Sequence, residues 1–228
     1  MNNRSIGSKH ESSLHRTLKF RYAAGGTTEE EVAGFIADGI NSDGDFIEVQ
    51  TGSFSPLKKK IHRLCALGRV IIIHPVIINK FIEVFDEEGQ RLYRRKSPRQ
   101  GSEWDIFNHL IYAPELALLP GLSIELAIID AVEKRVRDGK GSWRRKGVSI
   151  LDRELETWHG RLYLNEPTDY RRFIPFMPGE DFTTAELAKK AGINASLARK
   201  TLYVLRKINV VSRTGKSGRF WLYNLPSV

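Results

Sequence analysis

The chain reads Gly34-Phe35-Ile36-Ala37-Asp38-Gly39-Ile40, then Asn41-Ser42-Asp43-Gly44-Asp45, then Phe46-Ile47-Glu48-Val49-Gln50, and a few residues later Ser55-Pro56-Leu57-Lys58-Lys59-Lys60. Two short apolar runs separated by an Asp-Gly turn predict a β-hairpin. Side chains two apart on a strand share a face, so Glu48 and Gln50 point the same way, and Asp38 on the other arm can converge with Glu48. Ser before Pro is a helix start, and Leu57, Ile61, Leu64 and Leu67 at three- and four-residue spacing bury one side of the helix that follows. Two carboxylates on neighbouring strands are the hard-oxygen arrangement that Mg²⁺ prefers, because that ion takes few protein ligands and keeps water or phosphate in its other positions.

Outward from this hairpin, a surface helix is expected from about Ser8 to Ala23, carrying Glu11 in His10-Glu11-Ser12-Ser13-Leu14-His15 and ending at Gly25-Gly26. Thr27 to Glu31 reads as a solvated turn leading into the Asp38 strand. On the other side, Val70 to Ile78 is nearly all apolar and β-branched, as a strand covered on both faces would be. Lys80–Phe85 and Arg91–Arg95 flank Asp86-Glu87-Glu88-Gly89-Gln90 as a second hairpin. A helix at Trp104–Leu110 and a strand at Leu122–Ile129 follow. Arg135 to Lys146 reads as a flexible basic loop, and Leu151 to Trp158 has a helical pattern. Pro167, Pro175 and Pro178 suggest a domain boundary.

The order of helix with Glu11, strand with Asp38, strand with Glu48-Val49-Gln50, basic helix and buried strand resembles the core of the PD-(D/E)XK nuclease superfamily, the restriction-endonuclease-like fold. The resemblance implies an α/β chain with a mixed α+β sheet. It implies Mg²⁺, with Mn²⁺ as a substitute, held by Asp38, Glu48 and Gln50. It also implies phosphodiester hydrolysis carried by Asp38, Glu48 and Gln50, with Glu11 assisting and Lys58 or Lys60 stabilising charge. Gln50 departs from the Lys usual at its place; an amide can orient water or ligate through its oxygen but brings no positive charge. A nuclease-like core that has lost catalysis and serves a DNA-binding regulator is the competing expectation, and Gln50 is what supports it.

The chain of 228 residues has a formal charge of +9, and residues 181–228 hold nine Lys and Arg against Asp181 and Glu186, a surplus of +7. An anionic partner is expected, and the tail is the electrostatic handle. Asp181 to Gly192 reads as a capped helix with a Gly turn, and Ala195 to Lys207 as a second helix. Val210–Arg213 and Arg219–Tyr223 read as a basic hairpin about Thr214-Gly215-Lys216-Ser217-Gly218. This resembles a winged helix-turn-helix over about residues 179–226. By resemblance Ser196, Arg199, Lys200 and Tyr203 would meet bases, and Arg213, Lys216 and Arg219 would meet backbone.

The expected organisation is therefore a nuclease-like domain at 1–165, a linker at 166–178 and a small winged-helix domain at 179–228. The expected partner is duplex or branched DNA, with RNA as the alternative substrate and a homodimer as a mechanistic expectation for cutting two strands. No apolar run is long enough to span a bilayer, the start Met1-Asn2-Asn3-Arg4-Ser5 lacks an export core, and Cys65 is the lone cysteine. A cytoplasmic location without a membrane partner is the expectation. The six histidines have no ligand spacing, which argues against zinc chemistry.

Overall fold

A computed structural model describes residues 11–226. Helix α1 (Ser13–Tyr22) starts where the Ser12 hydroxyl accepts the His15 amide at 3.3 Å. Strands β1 (Thr27–Val32), β2 (Phe35–Ile40) and β3 (Phe46–Val49) run as an antiparallel meander, so the hairpin about Asn41–Asp45 is present as expected. A short 3-10 turn at Ser55–Leu57 opens into helix α2 (Lys58–Cys65), which crosses over to β4 (Val70–Phe85), parallel to β3. Strand β5 (Arg91–Lys96) turns back on the far half of β4, followed by the short helix α3 (Phe107–Leu110). Strand β6 (Leu122–Arg137) is parallel to β4, and β7 (Val148–Leu164) is antiparallel to β6. The result is a mixed seven-stranded sheet ordered β1-β2-β3-β4-β6-β7, with β5 beside β4.

Between β3, whose pairing with β4 ends at Ile73, and β5, whose pairing begins at Phe81, one side of β4 has no strand partner. Pro75 sits in that interval, where a strand residue without an N–H is tolerated. The sheet is covered on both faces. Leu14 and Leu18 of α1 pack with Ile47, Val49, Ile73, Ala127 and Ile129 on one. The other buries Phe46, Val70, Ile72, Ile124 and Leu126 beneath Ile61, Leu64, Phe107 and Leu110 of α2 and α3.

Three local expectations are corrected. Thr27 to Glu31 is not a turn but most of β1, whose alternating exposed acids suit an edge strand that must not pair with another chain. Arg135–Arg137 complete β6, so the basic loop is reduced to the hairpin between β6 and β7. Leu151 to Trp158 is strand, not helix. Its register against β6 slips between Asp130 and Ala131, so that Leu155 faces Ala131 and Trp158 faces Ile129 with Glu156 bulged out between them. The bulge places Leu155 and Trp158 on one face at a spacing of three, which imitates helical periodicity.

The tail forms α4 (Thr184–Ala191), α5 (Ala195–Lys207) and the hairpin β8 (Ser212–Ser217) and β9 (Phe220–Asn224). Thr183 and Glu186 make a capping box, Gly192 ends α4 at φ 66°, and the Asn194 side chain caps α5 through the Leu197 amide at 2.9 Å. Residues 167–173 form a 3-10 segment rather than a slack linker. Tyr170 and Phe173 are fully buried there, and one apolar core runs continuously from the sheet through them to Leu187, Leu197, Leu202 and Leu205.

Candidate active site

Asp38 on β2 and Glu48 on β3 lie one step beyond the last paired residues, Gly39 and Ile47, and each reaches back to the other's strand. The Val49 amide donates to Asp38 Oδ2 at 2.8 Å, and the Asp38 amide donates to Glu48 Oε1 at 3.3 Å. Both groups are held where the two strands diverge, bracketed by a helix on each side. From α2, the Lys60 ammonium pairs with Glu48 Oε1. From α1, His15 Nε2 lies 3.4 Å from Asp38 Oδ2 and 2.9 Å from the Val49 carbonyl, while its Nδ1 is bonded to Glu11. Glu11 also accepts from Lys19 Nζ at 2.9 Å, and Lys19, almost wholly buried, reaches Glu29 on β1 at the same distance.

The electrostatics follow from burial and from this bracketing. Burial and the neighbouring Asp38 charge raise the Glu48 pKa to about 7, and Lys60 offsets them only in part. Burial acts upward on Asp38 as well, but His15, the Val49 amide and Lys60 outweigh it and hold that carboxyl below its ordinary value. Burial acts downward on His15, yet Asp38 and Glu11 overcome it and raise the imidazole to about 9. At neutral pH the site therefore holds an imidazolium between Glu11 and Asp38, with Lys60 paired to Glu48 on the other side.

Of the two lysines named from the sequence, Lys60 is brought to the carboxylates. Lys58 is two residues earlier, about 200° around the helix, and pairs with Glu115 at 2.6 Å. Gln50 is in place at the end of β3. Its side-chain nitrogen donates to the Ser53 carbonyl, leaving the side-chain oxygen as the end that can meet a cation or water. Behind it, His74 is buried and donates to the Gln50 carbonyl at 2.7 Å; burial and His109 lower its pKa to about 4, so it is a neutral support. Two residues given no role by sequence reasoning, His15 and Lys19, complete the site. Glu11, one residue before the Ser12 cap, and His15 and Lys19 on α1 follow one another at intervals of four, but only the docking of α1 on the sheet turns that spacing into a site.

Among the described residues no three His, Cys, Asp or Glu side chains gather as a ready metal cage. The Asp38–Glu48 pair nevertheless fits a hard divalent cation by donor chemistry: two carboxylates held together at one end of the hairpin, where burial first and the Asp38 charge second raise the Glu48 pKa, and such an ion leaves its other positions to water and phosphate.

In the tail, Ser196, Arg199 and Tyr203 are exposed on α5. Lys200 is drawn inward and donates to Asn108 Oδ1 at 2.7 Å. On the hairpin, Arg213 and Lys216 lie over the Trp221 ring at 4.3 and 4.4 Å, and Arg219 over Phe220 at 5.1 Å. The exposed aromatic partners of these cations were not singled out in the sequence, although basic and aromatic residues alternate there. No helix among the described residues is long and apolar enough to cross a membrane.

The fold and site together define an α+β protein built on a mixed seven-stranded sheet with a cation-bracketed carboxylate pair, Glu48 buried and Asp38 partly exposed, at a strand divergence. The chain belongs to the DUF8091 family, described as a domain of unknown function, whose model matches residues 12–165. That span runs from the cap of α1 to the residue after β7, so it takes in the whole sheet. The chain is also similar to an uncharacterized protein of Treponema pallidum (strain Nichols), 30% identical over 222 residues, which cover 96% of this chain and 87% of the relative. No solved structure matches it significantly.

Proposed function

We propose that this protein is a divalent-metal-dependent endonuclease acting on DNA, with a core related to the PD-(D/E)XK nucleases and a winged-helix-like tail that docks the nucleic acid. The observation that carries the reading is the facing of Asp38 and Glu48 across β2 and β3 with Lys60 from the following helix on Glu48, in a meander–helix–parallel-strand order. A lysine delivered by α2 supplies the positive charge that Gln50 lacks.

Asp38, Glu48 and the Gln50 side-chain oxygen would hold the ion. Bound there, Mg²⁺ would neutralise charge at the scissile phosphate and acidify an attacking water. The chain's own groups do the rest. His15 keeps Asp38 ionised and fixed against the Val49 amide. Lys60 offsets charge building on the phosphate oxygens, and Glu11 with Lys19 orients His15. The +7 tail and its exposed Arg199, Arg213, Lys216 and Arg219 would take phosphate contacts that position the strand.

The test is incubation with supercoiled plasmid and with linear and branched duplexes in Mg²⁺, Mn²⁺ or EDTA, beside Asp38→Ala and Glu48→Ala. Metal-dependent nicking abolished in both variants is the expected outcome, and competition with RNA assigns the polymer. DNA binding without nicking by the wild type under either metal would remove the enzyme reading and leave a DNA-binding core.

A further inference from the structure

The seam between α1 and β7 carries a surface cleft at each end of the helix. One, of about 520 Å³, is lined by Glu11, Ser13 and Arg16 on the α1 side and by Leu151 and Asp152 on β7. The other, of about 330 Å³, is lined by Arg21, Tyr22, Trp158 and Arg161. Because β7 is the edge strand of the sheet, the seam is open along its outer side.

Flat cationic and aromatic groups recur along it. The exposed Arg21 guanidinium is stacked on the Trp158 ring at 4.1 Å, and the half-exposed Arg161 lies over the exposed Tyr163 ring at 5.5 Å. Trp158 and Arg161 pair with Ile129 and Ala127 of β6, which pack against α1, so both stand on the helix side of the sheet. At the other end Arg16 is exposed and donates to Ser13 Oγ at 3.0 Å through one Nη, which leaves further N–H donors for a ligand. Phe20, one turn after Arg16, is 58% exposed. The acids at that end are already engaged. Glu11 is held by His15 and Lys19, and Asp152 accepts the Ser13 and Arg153 amides.

We propose that this seam is a groove for single-stranded DNA, in which Arg16 and Arg161 meet phosphates and an unpaired base stacks on the Arg21–Trp158 pair. Cations that track a backbone beside flat faces for bases are the recurring arrangement for single strands. Bases of a duplex are already stacked on one another and cannot use such faces, whereas unpaired bases stack on aromatic rings and guanidinium planes. Stacking tolerates any base, so the groove reads strandedness and not sequence.

Its position gives the groove a use. Glu11, a wall of the first cleft, is the residue that fixes His15 beside Asp38. From there the seam follows α1 for about 14 Å, the length of about four nucleotides at the B-form rise and of fewer in an extended strand. Resting on the nuclease reading above, the substrate class is DNA with a single-stranded arm, such as a flap, a gap or an overhang. The unpaired strand would lie along α1 as the scissile phosphate reaches Asp38 and Glu48.

The experiment is fluorescence anisotropy with the full chain in EDTA, so that cleavage plays no part. The probes are labelled oligothymidylate and the blunt duplex that it forms with oligodeoxyadenylate. The double variant Arg21→Ala with Arg161→Ala should bind the single strand about tenfold or more weakly and the duplex within about threefold of wild type. Arg21→Lys keeps the charge but loses the planar face, and should still weaken the single strand about fivefold. Both positions are exposed, and unchanged urea unfolding would show that the fold is intact. Single-strand binding no tighter in wild type than in the double variant, equal losses for both probes, or full single-strand affinity in Arg21→Lys would overturn the proposal. Cutting is scored separately in Mg²⁺. A wild type that never cuts yet binds the single strand in this way removes the nuclease reading and keeps the groove, and cutting without such binding does the reverse.

Discussion

Lys60 and Glu48 are paired across the space between α2 and β3, and the Glu48 oxygen that takes the ammonium is the one that accepts the Asp38 amide. One atom thus couples the crossover helix to both strands of the hairpin. Its environment also sets a pH dependence.

Glu48 has a folded pKa of about 7 against an ordinary value of 4.5, through burial first and Asp38 second. For a raised pKa the folded state binds the proton more tightly; that stabilisation is complete below 4.5 and is lost as pH rises through 7. Lys60→Met removes the partner and pushes the loss further. The variant should match the wild type in urea unfolding near pH 5 and be about 1–3 kcal/mol less stable at pH 8, where an ionised Glu48 is left unpaired. An equal deficit at both pH values would show that Lys60 acts through packing alone.

His15 makes a second, separable contribution. With its pKa raised from 6.5 to about 9, its stabilisation is present below 6.5 and disappears as pH climbs through 9. His15→Gln should flatten that part of the profile, with a loss of about 1–2 kcal/mol at pH 6 after allowance for solvent screening and little change at pH 10. The imidazole can be titrated directly by NMR; a midpoint near 6.5 would refute the clamp between Glu11 and Asp38.

How much of this was legible in the sequence differs by element. The hairpin was readable because Asp43-Gly44 sets a turn and fixed alternation then places Asp38 and Glu48 opposite. The roles of His15 and Lys19 were not, since they arise when α1 docks on the sheet, a long-range event with no local periodicity of its own. Strand β7 was misread because a bulge at Glu156 copies a helical spacing, and Pro167 suggested a linker although Tyr170 and Phe173 anchor that segment in the core. Among the lysines only helical angle separates Lys60 from Lys58, and the sequence did not say which edge of α2 faces β3.

The tail cations should divide by geometry. Arg199→Ala, Arg213→Ala and Lys216→Ala would each weaken duplex binding and lower the slope of log affinity against log salt by about 1. Lys200→Ala should leave that slope unchanged and instead lower stability by about 1 kcal/mol, because it removes the bond to Asn108. Fluorescence anisotropy across a salt series, beside urea unfolding of each variant, makes the comparison. A slope change for Lys200→Ala as large as that for Arg213→Ala would place it at the phosphate.

Phe173 decides whether sheet and tail are one folding unit. It is fully buried, its ring 4.8 Å from Phe107 and 5.1 Å from Trp104, and the apolar cluster it joins continues into α5 through Leu197 and Leu202. A core shared in this way makes opening one side expose the other, so a single cooperative unfolding transition is expected by calorimetry. Phe173→Ala should lower stability by about 3–5 kcal/mol. It should also shift circular dichroism of the whole chain and tryptophan fluorescence, which includes Trp221 in the hairpin, to the same lower midpoint. Two separated transitions in the wild type, or a Phe173→Ala midpoint shift confined to one probe, would mean that the tail folds by itself and that the buried segment at 167–173 is only its tether.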